Sequence, residues 1–296
     1  MGVHGVRHLF CFGLGRSAKL LGEILLREGW KVTGTSRSNE GCGRLREDGF
    51  SAVVFDGHSP VPDFQTAFSD VSHVLISAPP GPDGDPVLRV HGQDIAALAS
   101  QFEWVAYLST VGVYGDRQGG WVDESSELLP STERGQRRAD AEAGWQAIEG
   151  LPVHIFRLPG IYGPGSNQLV SLLNGKARRT VKPGQVFSRI HLEDIAATLR
   201  ASIARPNPGQ IYNVCDDEAA PPQDVVAYAA GLMDMEPPRE VAFDEAEMSP
   251  MGRSFYAESK RIGNARIKEE LGVTLRYPTY REGLTALLET LPDRDQ

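Results

Sequence analysis

From residue 8 onward, short apolar runs alternate with stretches whose apolar positions recur every three or four residues. The runs are HLFCF (8–12), WKVTGTS (30–36), AVVFD (52–56), HVLISA (73–78), WVAYLS (104–109) and VHIFRL (153–158). Continuous apolar character predicts strands buried on both faces, as in a parallel sheet covered by helices. Between the first two runs, SAKLLGEILLREG puts Ala18, Leu21, Ile24 and Leu25 on one helical face, with Gly29 as a stop. PVLRVHGQDIAALAS repeats the pattern through Leu88, His91, Ile95 and Leu98. Strands joined by such crossovers predict an α/β fold built on a doubly wound parallel sheet.

The alternation breaks in two places. PPGPDGDP (79–86) is a cluster of turn formers directly after the fourth run. Residues 112–130 make a long connection after the fifth, and loops of that length are more often functional than idle. Past about residue 165 the pattern is mixed and interrupted by prolines. The expected division is a sheet domain over 1–164 and a smaller mixed C-terminal lobe over 165–296, of which about 187–215 returns to the sheet domain.

Charge narrows the function classes. With 30 Lys+Arg against 39 Asp+Glu, the net charge is -9, the wrong sign for a protein that neutralises phosphates along a nucleic acid. The chain has no apolar stretch of the ~20 residues that span a bilayer. Its opening, MGVHGVRHLFCFGLG, does not read as a signal peptide, because the short apolar run leads straight into a glycine turn. Cys11, Cys42 and Cys215 are widely spaced with no CxxC pair, so they read as reduced thiols and no metal site is expected. These features predict a cytoplasmic protein, monomeric or homodimeric, acting on a small molecule with neither nucleic acid nor membrane as partner.

The first turn carries the chemistry. GLGRSA places Gly13, Gly15 and Ala18 between a strand and a helix, with Arg16 and Ser17 in the helix's first turn. The first glycine allows the tight turn, the second lets the backbone approach a pyrophosphate, and the small third residue packs helix on strand. The helix N-terminus adds partial positive charge. This is a dinucleotide fingerprint in its required context, and it marks the sheet as a Rossmann sheet. An NAD site usually carries a carboxylate at the end of the second strand, whereas this chain has Ser36 and Arg37 there. A hydroxyl and a guanidinium suit a 2′-phosphate, so NADP(H) is favoured over NAD(H).

Several further stretches resemble the extended short-chain dehydrogenases/reductases, the group of NAD(P)-dependent nucleotide-sugar epimerases and dehydratases. YLSTVGVYG (107–115) is similar to that family's Ser/Thr-x-x-Val-Tyr-Gly segment, and RLPGIYGPG (157–165) to its Arg-x-x-Asn-Val-Tyr-Gly-Pro segment. FSRIHLEDIA (187–196) resembles its helix entry, GQIYNVCDDEA (209–219) its returning strand, and residues 248–284 the tail of its atypical branch. The resemblance implies Asp56 beside the adenine amino group. It adds Ala78, Pro79, Thr110, Arg138 and Pro159 to the cofactor-binding set, and it implies a substrate-binding C-terminal lobe.

The family's catalytic pair is missing. Its chemistry rests on a Ser/Thr hydroxyl, here Thr110, and on a Tyr-x-x-x-Lys pair on the following helix. In ERGQRRADAEAGW (133–145) the frame agrees at Gly135, Ala141 and Glu142, which puts Arg134 at the tyrosine and Arg138 at the lysine. Arginine stays protonated and cannot exchange the substrate proton. Arg138 can still serve as a cation against the ribose. Arg134 and Arg138, one helical turn apart, either bind an anionic substrate group or form a solvated basic face.

The Tyr256-x-x-x-Lys260 spacing reads as coincidence. Tyr114 is the candidate substitute acid, or else a packed aromatic under the long loop. His191 either binds substrate or belongs to a helix start. Two functions stay open: an oxidoreductase or epimerase acting on a small polar carbonyl compound, nucleotide-sugar-like in the family, and a non-catalytic NADP(H)-binding sensor or scaffold.

Overall fold

The computed structural model describes residues 6–291. The reading of the N-terminus as lacking a signal peptide rests partly on residues 1–5, which lie outside the described residues. In chain order the elements begin β1 (His8–Phe12), α1 (Arg16–Arg27), β2 (Lys31–Ser36), α2 (Asn39–Glu47), β3 (Ser51–Val54) and α3 (Phe64–Phe68). They continue with β4 (His73–Ile76), α4 (Pro86–Ala97), β5 (Trp104–Thr110), β6 (Trp121–Val122), α5 (Glu133–Gln146) and β7 (Val153–Leu158). Next come β8 (Gly160–Tyr162), α6 (Gln168–Leu173), β9 (Arg179–Val181), β10 (Arg189–His191), α7 (Leu192–Ala204) and β11 (Ile211–Asn213). The chain ends with α8 (Pro222–Leu232), β12 (Glu240–Ala242), α9 (Pro250–Phe255), β13 (Arg261–Ile262), α10 (Ala265–Glu269) and α11 (Tyr280–Leu288).

The chain resolves into two compact units. One comprises Met1–Thr110, Glu133–Arg157 and Ala196–Tyr212, and the other Val111–Thr132, Leu158–Ile195 and Asn213–Gln296.

The first unit holds a seven-stranded sheet in the order β11-β7-β5-β4-β1-β2-β3. β1 pairs in parallel with both β2 and β4, β2 with β3, and β4 with β5. All six apolar runs are strands of this sheet, which is the doubly wound α/β architecture expected from them. The winding reverses between β1 and β4, the place where ligands bind such sheets at the carboxyl ends of the strands. Every residue of β1, β4 and β7 is buried, which explains why these runs lack a polar alternation. One face of the core clusters Phe10, Phe12, Phe55 and Phe68 with Ile76, Ile95 and Tyr107.

Two helical faces turn slightly from the expected stripe. α1 buries Ala18, Leu21, Gly22 and Leu25, while Ile24 is half-buried. Gly22 takes the inner place because a Cβ there would stand 2.9 Å from the Phe50 ring. α4 buries Val87, His91 and Ile95, with Leu88 and Leu98 only partly covered. His91 belongs to the core because both ring nitrogens are satisfied, Nε2 by the Val61 N–H at 2.9 Å and Nδ1 by Asp94 at 2.9 Å.

The second unit mixes short helices with the two-stranded pairings β8–β10, β9–β12 and β6–β13. Its core gathers Tyr162, Leu169, Val225, Ala229, Tyr280 and Leu284. The free thiols of Cys11, Cys42 and Cys215 are all buried.

Candidate dinucleotide site

The turn from β1 into α1 is shaped by its glycines. Gly13 has φ +85°, a left-handed conformation that side chains rarely adopt, and a Cβ on it would meet the Ala78 backbone nitrogen at 3.0 Å. Its N–H donates to Thr35 Oγ1 at 2.8 Å, which ties the turn to β2. Gly15 is the N-cap of α1; no side chain caps the helix, and nothing lies within 4 Å of where its Cβ would be. A helix N-terminus without a side-chain acceptor and with open space before it suits an incoming anion.

Around this turn lies a cavity of about 750 Å³. Gly13, Gly15, Ser36, Arg37, Asp56, Ala78 and Pro79 all line it, so seven residues expected in the cofactor set meet at one surface. Arg16, Ser17 and Ala18 form the adjoining first turn of α1, with Ala18 buried and Arg16 exposed. Asp56 lies two residues beyond the end of β3. Its Oδ1 accepts the N–H groups of His58 and Ser59, each at 2.8 Å, and these hydrogen bonds hold its pKa below the ordinary value. The turn-rich loop after β4 is closed by a Gly81–Gly84 bridge, and Gly81, Pro82, Asp83 and Gly84 line the same cavity.

The sequence reading missed Lys19, Arg44, His58 and Arg89 on this lining. They come from the second turn of α1, from α2, from the turn after β3 and from α4. No spacing rule connects them before the sheet brings them together.

Deeper in the same unit, β5 and α5 are joined by a polar network. Arg138 Nη1 donates to the Tyr107 hydroxyl at 3.2 Å and also to the Leu108 carbonyl, with its guanidinium over the Tyr107 ring. Burial pushes the Tyr107 hydroxyl well above the ordinary tyrosine range, so it stays protonated. Thr110 closes β5 and is half-buried. Arg134, one turn before Arg138, is exposed.

Glu142 on the same helix takes Ser109 Oγ at 2.5 Å and Arg157 Nη2 at 2.6 Å. The sequence offered Glu142 only as a frame residue. Asp85 caps α4 by accepting the Val87 and Leu88 N–H groups at 2.9 Å, and burial raises its pKa.

The remaining candidates belong to the second unit. Tyr114 is fully buried and donates to Asn213 Oδ1 at 2.7 Å, the placement of a packed aromatic rather than of an acid facing substrate. His191 is 1% exposed, meets the Tyr162 ring edge-on and the Tyr277 ring at a tilt, and its Nδ1 accepts the Glu193 N–H at 3.2 Å. That bond serves the start of α7, while Nε2 is buried without a partner among the described residues, and burial lowers the pKa to about 4. Pro159 is half-buried between β7 and β8. Tyr256 and Lys260 do not form a pair. The Tyr256 ring packs on Phe187 and Phe243, and Lys260 donates to the Gly115 carbonyl at 2.7 Å and to Glu258 at 2.5 Å. Among the described residues no helix is long and apolar enough to cross a membrane, and no cluster of metal-ligating side chains occurs.

Sheet order and opening turn give the first unit a Rossmann-type fold, and solved epimerase/dehydratase-like structures share that fold. No family model matches the chain. It nevertheless belongs to one family with a conserved protein of unknown function from Silicibacter pomeroyi, 52% identical over 96% of this chain and 99% of that one, with a TM-score of 0.91. It is also similar to Protein YeeZ of Escherichia coli K12, 29% identical over 275 residues, which is 90% of this chain and 94% of YeeZ. The dTDP-glucose 4,6-dehydratase of Bacillus anthracis, solved in complex with NAD, shares the fold at a TM-score of 0.77 over 96% of each chain, with 15% identity.

Proposed function

We propose that this protein binds NADP(H) at the β1–α1 turn and acts as an oxidoreductase or epimerase on a small polar carbonyl compound. The observation that carries the reading is the joint lining of one cavity by Gly13, Gly15, Ser36, Arg37 and Asp56. Gly13 and Gly15 admit the pyrophosphate against the helix terminus, Asp56 receives the adenine, and Ser36 with Arg37 receives a 2′-phosphate. The NAD bound by the Bacillus dehydratase supports the coarser part, a nicotinamide dinucleotide. A bound nicotinamide supplies or accepts a hydride. Thr110, at the end of β5, orients the carbonyl oxygen. An oxyanion formed there would draw its proton from water, because the helix offers arginines in place of the tyrosine and Tyr114 donates to Asn213.

Those last facts also favour a second reading, a dinucleotide-responsive binding protein without turnover. Fluorescence titration of the purified protein with NADPH and NADH separates binding from its absence, and a screen of carbonyl compounds under NADPH separates the two readings. NADPH is expected to bind more tightly than NADH; equal affinity removes the NADP(H) preference, and no binding of either removes the function. A carbonyl compound reduced at Thr110 loses turnover in Thr110→Val, with NADPH affinity of the variant titrated beside it. Should no compound be reduced, the binding reading stands.

A further inference from the structure

We infer that Arg44 is a second guanidinium for the ribose 2′-phosphate, held by Glu40 in the absence of that phosphate. This deepens the NADP(H) reading and rests on it.

The first ground is placement. Arg44 sits on α2, which is seated tightly on the end of β2: a Cβ on Gly41 would run into Ser36 Oγ. Ser38 caps the helix by accepting the Gly41 N–H at 3.1 Å. These contacts set Ser36, Arg37, Gly41 and Arg44 on the lining of a single cavity.

The second ground is how the cavity's cations are committed. Lys19 is paired with Asp48, itself on the lining, at 2.7 Å. Arg89 donates to the Gly57 carbonyl at 2.6 Å. Arg44 is paired at 2.5 Å with Glu40, which does not line the cavity. Among the described residues, Arg37 makes no hydrogen bond or ion pair. Arg37 and Arg44 are therefore the two guanidiniums of the lining with no partner on it.

The third ground is magnitude. The Glu40–Arg44 side chains are 83% and 64% exposed, and such i,i+4 pairs contribute only about 0.3–0.5 kcal/mol. A phosphate monoester carries about -1.5 to -2 charges at neutral pH, more than one guanidinium neutralises. Exchange of Glu40 for phosphate oxygens gives Arg44 a stronger, bidentate partner.

The test uses calorimetric titration of the full chain with 2′,5′-ADP and with 5′-AMP, which differ only in the 2′-phosphate. Arg44→Gln is expected to weaken 2′,5′-ADP by about tenfold and 5′-AMP by less than about twofold, in line with loss of one charged hydrogen-bonding partner. Arg44→Lys restores part of the loss, and Glu40→Gln tightens 2′,5′-ADP by about twofold as the competing carboxylate is removed. If Arg37→Gln abolishes the preference for 2′,5′-ADP while Arg44→Gln leaves it intact, Arg44 has no such role and the NADP(H) reading survives. A wild type that binds both probes equally overturns both. Arg44 is exposed, so neither substitution threatens the fold.

Discussion

Arg157 and Glu142 form an ion pair at 2.6 Å with side chains only 3% and 2% exposed, in the same interior where Ser109 donates to the Glu142 carboxylate. The pair ties β7 to α5, the helix that carries Arg134 and Arg138, and Ser109, the residue before Thr110, ties that helix to β5. Removing one partner leaves a buried charge uncompensated, which costs about 3–5 kcal/mol. Glu142→Gln and Arg157→Met are each expected to lose stability on that scale in urea denaturation. The double variant Glu142→Leu/Arg157→Met recovers much of the loss, because two desolvated charges disappear together. Additive single losses would show that the two residues are not coupled.

The two glycines of the opening turn make a contrasting pair. Gly13→Ala forces a side chain into φ +85° and against the Ala78 backbone, so it should cost about 1–3 kcal/mol and also weaken NADPH. Gly15 has extended backbone geometry, φ -82° and ψ -173°, with no neighbour to strike. Gly15→Ala should leave stability within about 0.5 kcal/mol, the usual range for an uncrowded surface change. It should nonetheless weaken NADPH, because its methyl group stands where the pyrophosphate approaches. Thermal melts beside NADPH titrations distinguish the two effects.

Asp216 predicts a pH dependence. It is 3% exposed, its Oδ2 has no partner among the described residues, and burial raises its pKa to about 8. The folded state thus holds a proton that the unfolded chain releases near pH 4. Its favourable contribution is complete below the unfolded pKa and is lost as pH rises through the folded value. Asp216→Asn, which cannot ionise, should gain on the wild type by up to about 1.4 kcal/mol per pH unit across that window, and by no more beyond it. Denaturation of both proteins at pH 4, 6 and 8 reads this directly, and a constant difference would refute the assignment.

Tyr114→Phe removes the donor to Asn213 and leaves a buried acceptor short of a partner, a change worth about 1–3 kcal/mol of stability. NADPH affinity should be unchanged. Any compound found to be turned over should be turned over by the variant as well; loss of turnover with affinity intact would return Tyr114 to the reaction.

The sheet was legible because its strands are covered on both faces, so HLFCF, HVLI and VHIFRL read as unbroken apolar runs. Gly13 and Gly15 were legible from the local spacing of the fingerprint and Arg37 from its place at the end of β2, and the three share one lining. Glu142 and Arg157 stand fifteen residues apart on different elements, and nothing local marks either as buried. Arg44 reads as any surface cation until the Gly41–Ser36 approach turns α2 toward the cavity. Tyr114 and His191 were ambiguous for one reason: a polar tip on an aromatic body suits a ligand site and a packed interior equally well, and the sequence does not show that Tyr114 meets Asn213 while His191 keeps Nε2 unpartnered among the described residues.

The cysteines give the molecule two internal clocks. Cys11 lies on β1 and Cys215 in the other unit, both fully covered and both with thiols pushed to high pKa by burial. Neither can be alkylated until its surroundings open, so labelling rates time those openings. Mass spectrometry of each tagged peptide would tell whether the two units each open in one event or in turn, and which opening a dinucleotide slows.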